Sequence, residues 1–164
     1  LEYKTRAMEE KDIEQVQHVA KMSWNDTYEG IIPFAVQERF LNSAYSKEMM
    51  IRRLNVSSLY VAESQDRIVG FANFSLVKEA GEMELGAIYL LPEHQGNGIG
   101  SALLNKGITM ATSAKKVFIN VEKENRTGVR FYEARGFDFV SEFEDDLEGH
   151  KTLMLRMVLI IENY

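Results

Sequence analysis

The chain of 164 residues contains no cysteine, which excludes disulfides, thiolate metal sites and a cysteine nucleophile. Its three histidines, His18, His94 and His150, are scattered singly, so no metal site is expected. Long apolar runs are missing too. Stretches such as Met157–Ile161 are far too short to cross a bilayer, which argues against a membrane role. Lys4, Arg6, Glu9, Glu10 and Lys11 break up any signal-like opening, so a cytoplasmic location is expected. No repeat, low-complexity tract or Pro/Gly/Ser-rich linker interrupts the sequence, and one domain over residues 1–164 is expected. A formal net charge of −6 offers no basic footprint for nucleic acid and is compatible with a cationic substrate.

What is present is an ordinary globular composition, 45% hydrophobic and 27% charged, arranged in alternating periods. Glu2–Met8 reads as a strand and Glu9–Tyr28 as a helix with Ile13, Val16, Val19, Ala20 and Ser23 on one face. Pro33 opens a second helical stretch, and Ser46 caps a third carrying Met49, Met50, Ile51 and Leu54. Ser58–Glu63 and Ile68–Val77 read as strands joined by a tight turn through Gln65-Asp66-Arg67, followed by a strand Glu82–Leu91 that stops at Pro92. A helix from Gly98 to about Ser113, a strand Lys116–Val121 and a helix Arg126–Ala134 ending at a left-handed Gly136 come next. Phe137–Phe143 and Leu153–Ile160 close the chain as an antiparallel pair around an acidic turn, Glu144–Gly149. Strand–helix–strand units inside a run of hairpins define an α/β fold with a mixed sheet of about seven strands around a central β-α-β crossover. Such a crossover opens a crevice beyond the carboxyl ends of its strands.

At the mouth of that crevice lies Gln95-Gly96-Asn97-Gly98-Ile99-Gly100, three glycines between a strand and a helix start. Glycine permits unusual dihedrals and close approach, and the free N–H groups of a first helical turn attract phosphate. Two familiar phosphate motifs are excluded by spacing. A dinucleotide fingerprint would need glycine where Ser101 stands, and no G-K-S/T triplet exists to end a P-loop.

The pattern that is there, A-I-Y-L-L-P-E-H-Q-G-N-G-I-G-S-A-L-L over Ala87–Leu104, resembles the Q/R-x-x-G-x-G/A hallmark of the GNAT superfamily of acyl-CoA-dependent N-acetyltransferases. Asn125, Tyr132, Gly136 and Phe137 match the family's following N-x(6)-Y…G-F element, and the order of elements agrees along essentially the whole chain. The resemblance implies a GNAT-like, mostly antiparallel twisted sheet with flanking helices, and acetyl-CoA as co-substrate without a metal. It places the coenzyme pyrophosphate on Gln95, Gly96, Asn97, Gly98, Ile99, Gly100 and Ser101, and the pantetheine arm beside Ile88, Tyr89 and Leu90, posing as an added strand. Asn125 would hydrogen-bond the coenzyme, cap its own helix, or both. Tyr132 would protonate the departing thiolate, although a tyrosine between Phe131 and Phe137 is also a natural core aromatic. Some members carry a glutamate base five residues before the motif asparagine. Asn120 occupies that place here and cannot serve. The replacement considered first is Glu84, expected by two-residue alternation on the face of Ile88 and Leu90, with Glu122 second.

The family's acceptor side is built by the first helices and the late hairpin, which points to Trp24, Asp26 and Tyr28 and to the acidic turn. S-W-N-D-T-Y resembles a segment of small bacterial acetyltransferases, polyamine acetyltransferases among them. Trp24 and Tyr28 would wall in an amine and Asp26 or Glu29 would supply charge, whereas packing of the rings into the core is the plainer reading, above all for Trp24. A small amine or polyamine acceptor is therefore expected. A peptide N-acetyltransferase and a non-catalytic acyl-CoA-binding module remain alternatives. Similar proteins are often homodimers, and the apolar end Met157–Ile161 is the interface segment expected here.

Overall fold

The computed structural model describes residues 2–164; Leu1, part of the expected domain 1–164, lies outside them. The chain runs β1 (Lys4–Ala7), α1 (Ile13–Tyr28), α2 (Phe34–Ala44), α3 (Lys47–Val56), β2 (Ser57–Ser64), β3 (Arg67–Ser75) and β4 (Glu82–Leu90). It continues through α4 (Ile99–Met110), β5 (Lys116–Glu122), α5 (Arg126–Ala134), β6 (Asp138–Leu147) and β7 (His150–Ile160). The seven strands form one sheet in the order β1-β2-β3-β4-β5-β7-β6, with every pairing antiparallel except β4 with β5.

Local chemistry sets most boundaries. Glu9 and Asp12 reciprocate as a capping box ahead of α1, and Arg6 grips the Asp12 carboxylate at 2.8 and 3.0 Å, tying β1 to the helix start. Ser46 Oγ accepts the Met49 N–H at 3.2 Å, the expected cap of α3. Gln65 and Asp66, both at positive φ, make the β2–β3 turn, so Arg67 already belongs to the strand. The acidic segment is corrected in the same way. Glu144, Asp145 and Asp146 are paired within β6, and the turn is the two residues Glu148-Gly149, both at positive φ. Acidity alone does not make a turn; a two-residue hairpin connection needs left-handed dihedrals.

The middle of the sheet, at β3, is covered on both faces. On one, Phe74 lies so close to α4 that a Cβ at Gly107 would fall 2.2 Å from its ring. On the other, Phe71 meets the edges of Tyr45 and Tyr89, which join the α1–α3 side of the core. Met157 and Leu159 are buried in this core because β7 is an inner strand between β5 and β6. Of the segment expected to extend an interface, Val158, Ile160 and Ile161 remain partly exposed. No helix of the described residues is long and apolar enough to cross a membrane.

Two irregularities shape the region that follows. β4 and β5 share only three register pairs, Glu82–Lys116 to Glu84–Phe118, and beyond Glu84 they part. The β4 edge from Leu85 onward therefore faces open space with its peptide groups unclaimed by β5. On its other side Phe74 opposes Leu85 and Asn73 opposes Ala87, which makes Gly86 the extra residue of a β-bulge.

Candidate active site

The parting of β4 and β5 creates a cleft of about 740 Å³. One end of it is the glycine loop. Gly96 and Gly98 both sit at φ +81, a left-handed backbone that glycine adopts without strain. Gly98 is the N-cap of α4 and contributes no side-chain cap, while the first intrahelical bond runs from the Ala102 N–H to the Gly98 carbonyl at 3.0 Å. The N–H groups of Ile99, Gly100 and Ser101 therefore belong to an uncapped first turn at the positive end of the helix dipole, which fits an anion. Gly100 serves packing as well: a Cβ there would approach the Phe131 ring to 2.9 Å, so the third glycine lets α5 lean on α4.

A basic group missed in the sequence reading completes this end. Arg135 donates from Nε to Ser101 Oγ at 2.8 Å, and its guanidinium lies 4.1 Å above the Phe131 ring. It lines the cleft beside the glycine loop, where its charge reinforces the α4 terminus. Its four-residue spacing from Phe131 on α5 was the available signal, but nothing local connects it to Ser101.

The middle of the cleft is lined by Leu85–Leu90 of β4 and by Asn120, Val121 and Glu122 of β5. Asn125 caps α5, its Oδ1 accepting the Gly128 N–H at 3.0 Å, and also lines the cleft, so both expected roles are sterically compatible. Tyr132 projects from α5 into the same space, its ring edge-on to Phe131 and Phe137. Its hydroxyl has no hydrogen-bond partner among the described residues, and burial pushes its pKa well above the ordinary phenol value. A phenol held protonated, with its proton uncommitted, can donate it.

The carboxylates are arranged differently from expectation. Cross-strand partners share a face, so the bulge at Gly86 reverses the alternation of β4. Glu84 lies on the face of Ala87 and Tyr89, not with Ile88 and Leu90. It is absent from the cleft lining, and its two oxygens are held by Arg156 at 2.8 and 3.0 Å. The same guanidinium donates to Asn120 Oδ1 at 3.0 Å and covers the Phe118 ring. Glu122 does line the cleft and is only 7% exposed. Burial raises its pKa, opposed by the Glu124 and Asn125 N–H groups that donate to its Oε2 and assisted by the nearby Glu124 charge.

Elsewhere on the lining, Trp24 and Tyr28, expected on the acceptor side, are both core and wall. They are 6% and 8% exposed, pack with Ile32 and Val36, and Trp24 stacks on Phe40 with ring centroids 4.4 Å apart. Both also line the cleft, and the Trp24 Nε1–H is buried without a hydrogen-bond partner among the described residues. Asp26 reaches the cleft margin. From the late hairpin only Asp145 and Leu147 of the expected acidic segment arrive, since alternation along β6 sends Glu144 and Asp146 elsewhere.

The fold and this geometry agree with what the chain is similar to. The model of the acetyltransferase (GNAT) family matches residues 19–137, and the chain belongs to that family. It is 28% identical over 157 residues to a spermidine N(1)-acetyltransferase of Thermoplasma acidophilum, covering 91% of this chain and 93% of that one. An uncharacterised N-acetyltransferase, YuaI of Bacillus subtilis, is 32% identical over 151 residues, covering 85% and 84%. The crystal structure of the PaiA N-acetyltransferase of T. acidophilum in complex with coenzyme A superposes with a TM-score of 0.82 at 24% identity, covering 94% of this chain and 98% of that one.

Proposed function

We propose that the protein transfers an acetyl group from acetyl-CoA to the primary amine of a small molecule, a polyamine being the preferred class, by direct attack in a ternary complex. The observation that carries this reading is one cleft holding an uncapped glycine-loop helix start, an unpaired β4 edge, the free Tyr132 hydroxyl and the Glu122 carboxylate. Bound acetyl-CoA supplies a thioester carbonyl, at which the C–N bond forms as the C–S bond breaks.

The chain's residues do the rest. The loop N–H groups of Gly96–Ser101 and the Arg135 charge hold the pyrophosphate, and the β4 peptide groups at Ile88–Leu90 pair with the amide-bearing arm. An alkyl ammonium has a pKa near ~10 and must lose a proton before it attacks. Glu122, kept basic by burial, accepts that proton, directly or through water. Tyr132 gives its own proton to the departing sulfur. Glu84, clasped by Arg156, serves to fix the β4–β5 junction rather than to take protons. Trp24, Tyr28 and Leu147 wall in the amine, with Asp26 and Asp145 drawing in its charge.

The relative named as a spermidine N(1)-acetyltransferase supports the acceptor class. The test is thiol release on mixing the protein with acetyl-CoA and a panel of monoamines, diamines, polyamines and lysine-containing peptides. Turnover with polyamines is the expected result. Turnover confined to peptides would replace the acceptor, and coenzyme binding without turnover of any amine would select a non-catalytic binding module.

A further inference from the structure

A second cavity, of about 840 Å³, lies across the α1–α2 connection from the cleft. Asp26 of the last turn of α1 and Ile32 of the connection line both, so the end of α1 and this connection form a partition with a face toward each. The second cavity carries three carboxylates, Asp26 and Glu29 near the end of α1 and Glu93 from the turn after β4. All three are exposed, and none forms an ion pair among the described residues. No lysine or arginine lines it; its nitrogen bases are His18 and His150.

Carboxylates at a surface do not by themselves make a site, but Gln37 provides an independent requirement. This side chain is 2% exposed and lines the cavity. Its Nε2 donates to the Ile32 carbonyl at 2.9 Å, which fixes the amide's orientation, since the flipped form would oppose two oxygens. Its Oε1 is consequently left buried with no donor among the described residues. A buried acceptor without a donor is costly, and a ligand N–H relieves it. Beside it runs an apolar surface of Ile31, Pro33 and Phe34, the last 56% exposed, suited to methylene groups and to the flank of a cation.

We propose that this cavity receives the distal ammonium group of a linear di- or polyamine whose other end presents the reacting nitrogen in the cleft. The assignment rests on the amine-acetylation reading above. The charged end meets Glu29 and Glu93 and donates to Gln37 Oε1, while the carbon chain crosses the partition over Ile32 beside Asp26. A monoamine of equal length has nothing to place there. The pair of cavities thus selects acceptors by a second charge at a distance.

The experiment measures kcat/KM for α,ω-diaminoalkanes and for n-alkylamines of matched length, with acetyl-CoA saturating, and takes their ratio. The exposed double variant Glu29→Gln/Glu93→Gln should lower that ratio about fivefold, through the KM of the diamine, as expected for two solvent-screened charge contacts. Gln37→Leu should lower it about tenfold, because a hydrogen bond to a charged group is lost. Because Gln37 is buried and its variant can fail to fold, the double variant carries the test. An unchanged ratio in the double variant, whether both rates fall alike or neither falls, overturns the distal site while leaving amine acetylation standing. Absence of turnover with every amine in the unmodified protein overturns the acetylation reading, and the distal site with it.

Discussion

The two ends of the cleft, the glycine-loop end proposed to take the acetyl donor and the Trp24–Tyr28 end proposed to take the acceptor, are built from different materials. At the donor end the backbone predominates: the N–H groups at the start of α4, the left-handed Gly96 and Gly98, and the unpaired edge of β4. At the acceptor end the groups are side chains delivered by α1, α2, β5 and β6, among them Trp24, Tyr28, Glu122, Asp145 and Leu147. Backbone sites depend on conformation, which short spacings of glycine encode. Side-chain sites depend on which distant segments meet, and any one of them can change without disturbing the loop. A family can thus keep one coenzyme and vary the acceptor.

Variants that act on one end alone test this division. The largest effect is expected at the reacting atoms. Tyr132→Phe should lower kcat by about a hundredfold, in the range of a lost general acid, with the KM for acetyl-CoA nearly unmoved in a thiol-release assay. An equal rise in that KM would make Tyr132 part of the donor site instead. Next comes Glu122→Gln, for which kcat at neutral pH should drop about thirtyfold, with the fall in rate toward acidic pH abolished. Glu84→Gln should leave that acidic limb in place; if it removes the limb, the base assignment is reversed.

The same Glu122→Gln change has a stability signature. Burial raises the folded-state pKa of Glu122, so the native state favours its protonated form. Its contribution is full below the unfolded-state carboxyl pKa and is lost as pH rises through the folded value. The variant should therefore melt higher than the wild type in neutral and alkaline buffer and show no such gain in acid, as read by calorimetry across pH. A gain of the same size at every pH would exclude the burial account.

At the donor end Gly98→Ala should cost about 1–2 kcal/mol of stability, the price of a left-handed alanine, and raise the KM for acetyl-CoA about fivefold without altering preference among amines. A changed amine preference would break the separation of the two ends. The smallest effect is expected for Asp145→Asn, an exposed charge at the cleft margin, which should raise the amine KM about twofold. Its response to added salt should shrink accordingly.

The two ends also differ in how far they could be read before folding. Among the described residues, the order of the five α-helices and seven strands follows from period and punctuation, and the loop from its glycines and its place between strand and helix. Glu84 shows where local reading stops. Two-residue alternation put it beside Ile88 and Leu90, and one extra residue at Gly86 reversed every side chain beyond. A bulge is a property of register between two strands, so β4 alone carries no sign of it apart from a glycine. The acidic hairpin differs for a related reason: a run of carboxylates reads as a turn, whereas pairing with β7 continues to Leu147. Arg135 with Ser101 and Arg156 with Glu84 are 34 and 72 residues apart in sequence, beyond the reach of any local pattern.

What the sequence determined by itself is the glycine loop between strand and helix, the helix caps and the succession of elements, because backbone conformation and amphipathic period are local properties of neighbouring residues. The tertiary structure alone decided which carboxylate faces the cleft, that Trp24 and Tyr28 serve as core and wall at once, and that Gln37 holds an unsatisfied oxygen against a second cavity. Those outcomes follow from strand register and from the packing of segments far apart in the chain. They are set when the sheet closes, not when its strands form.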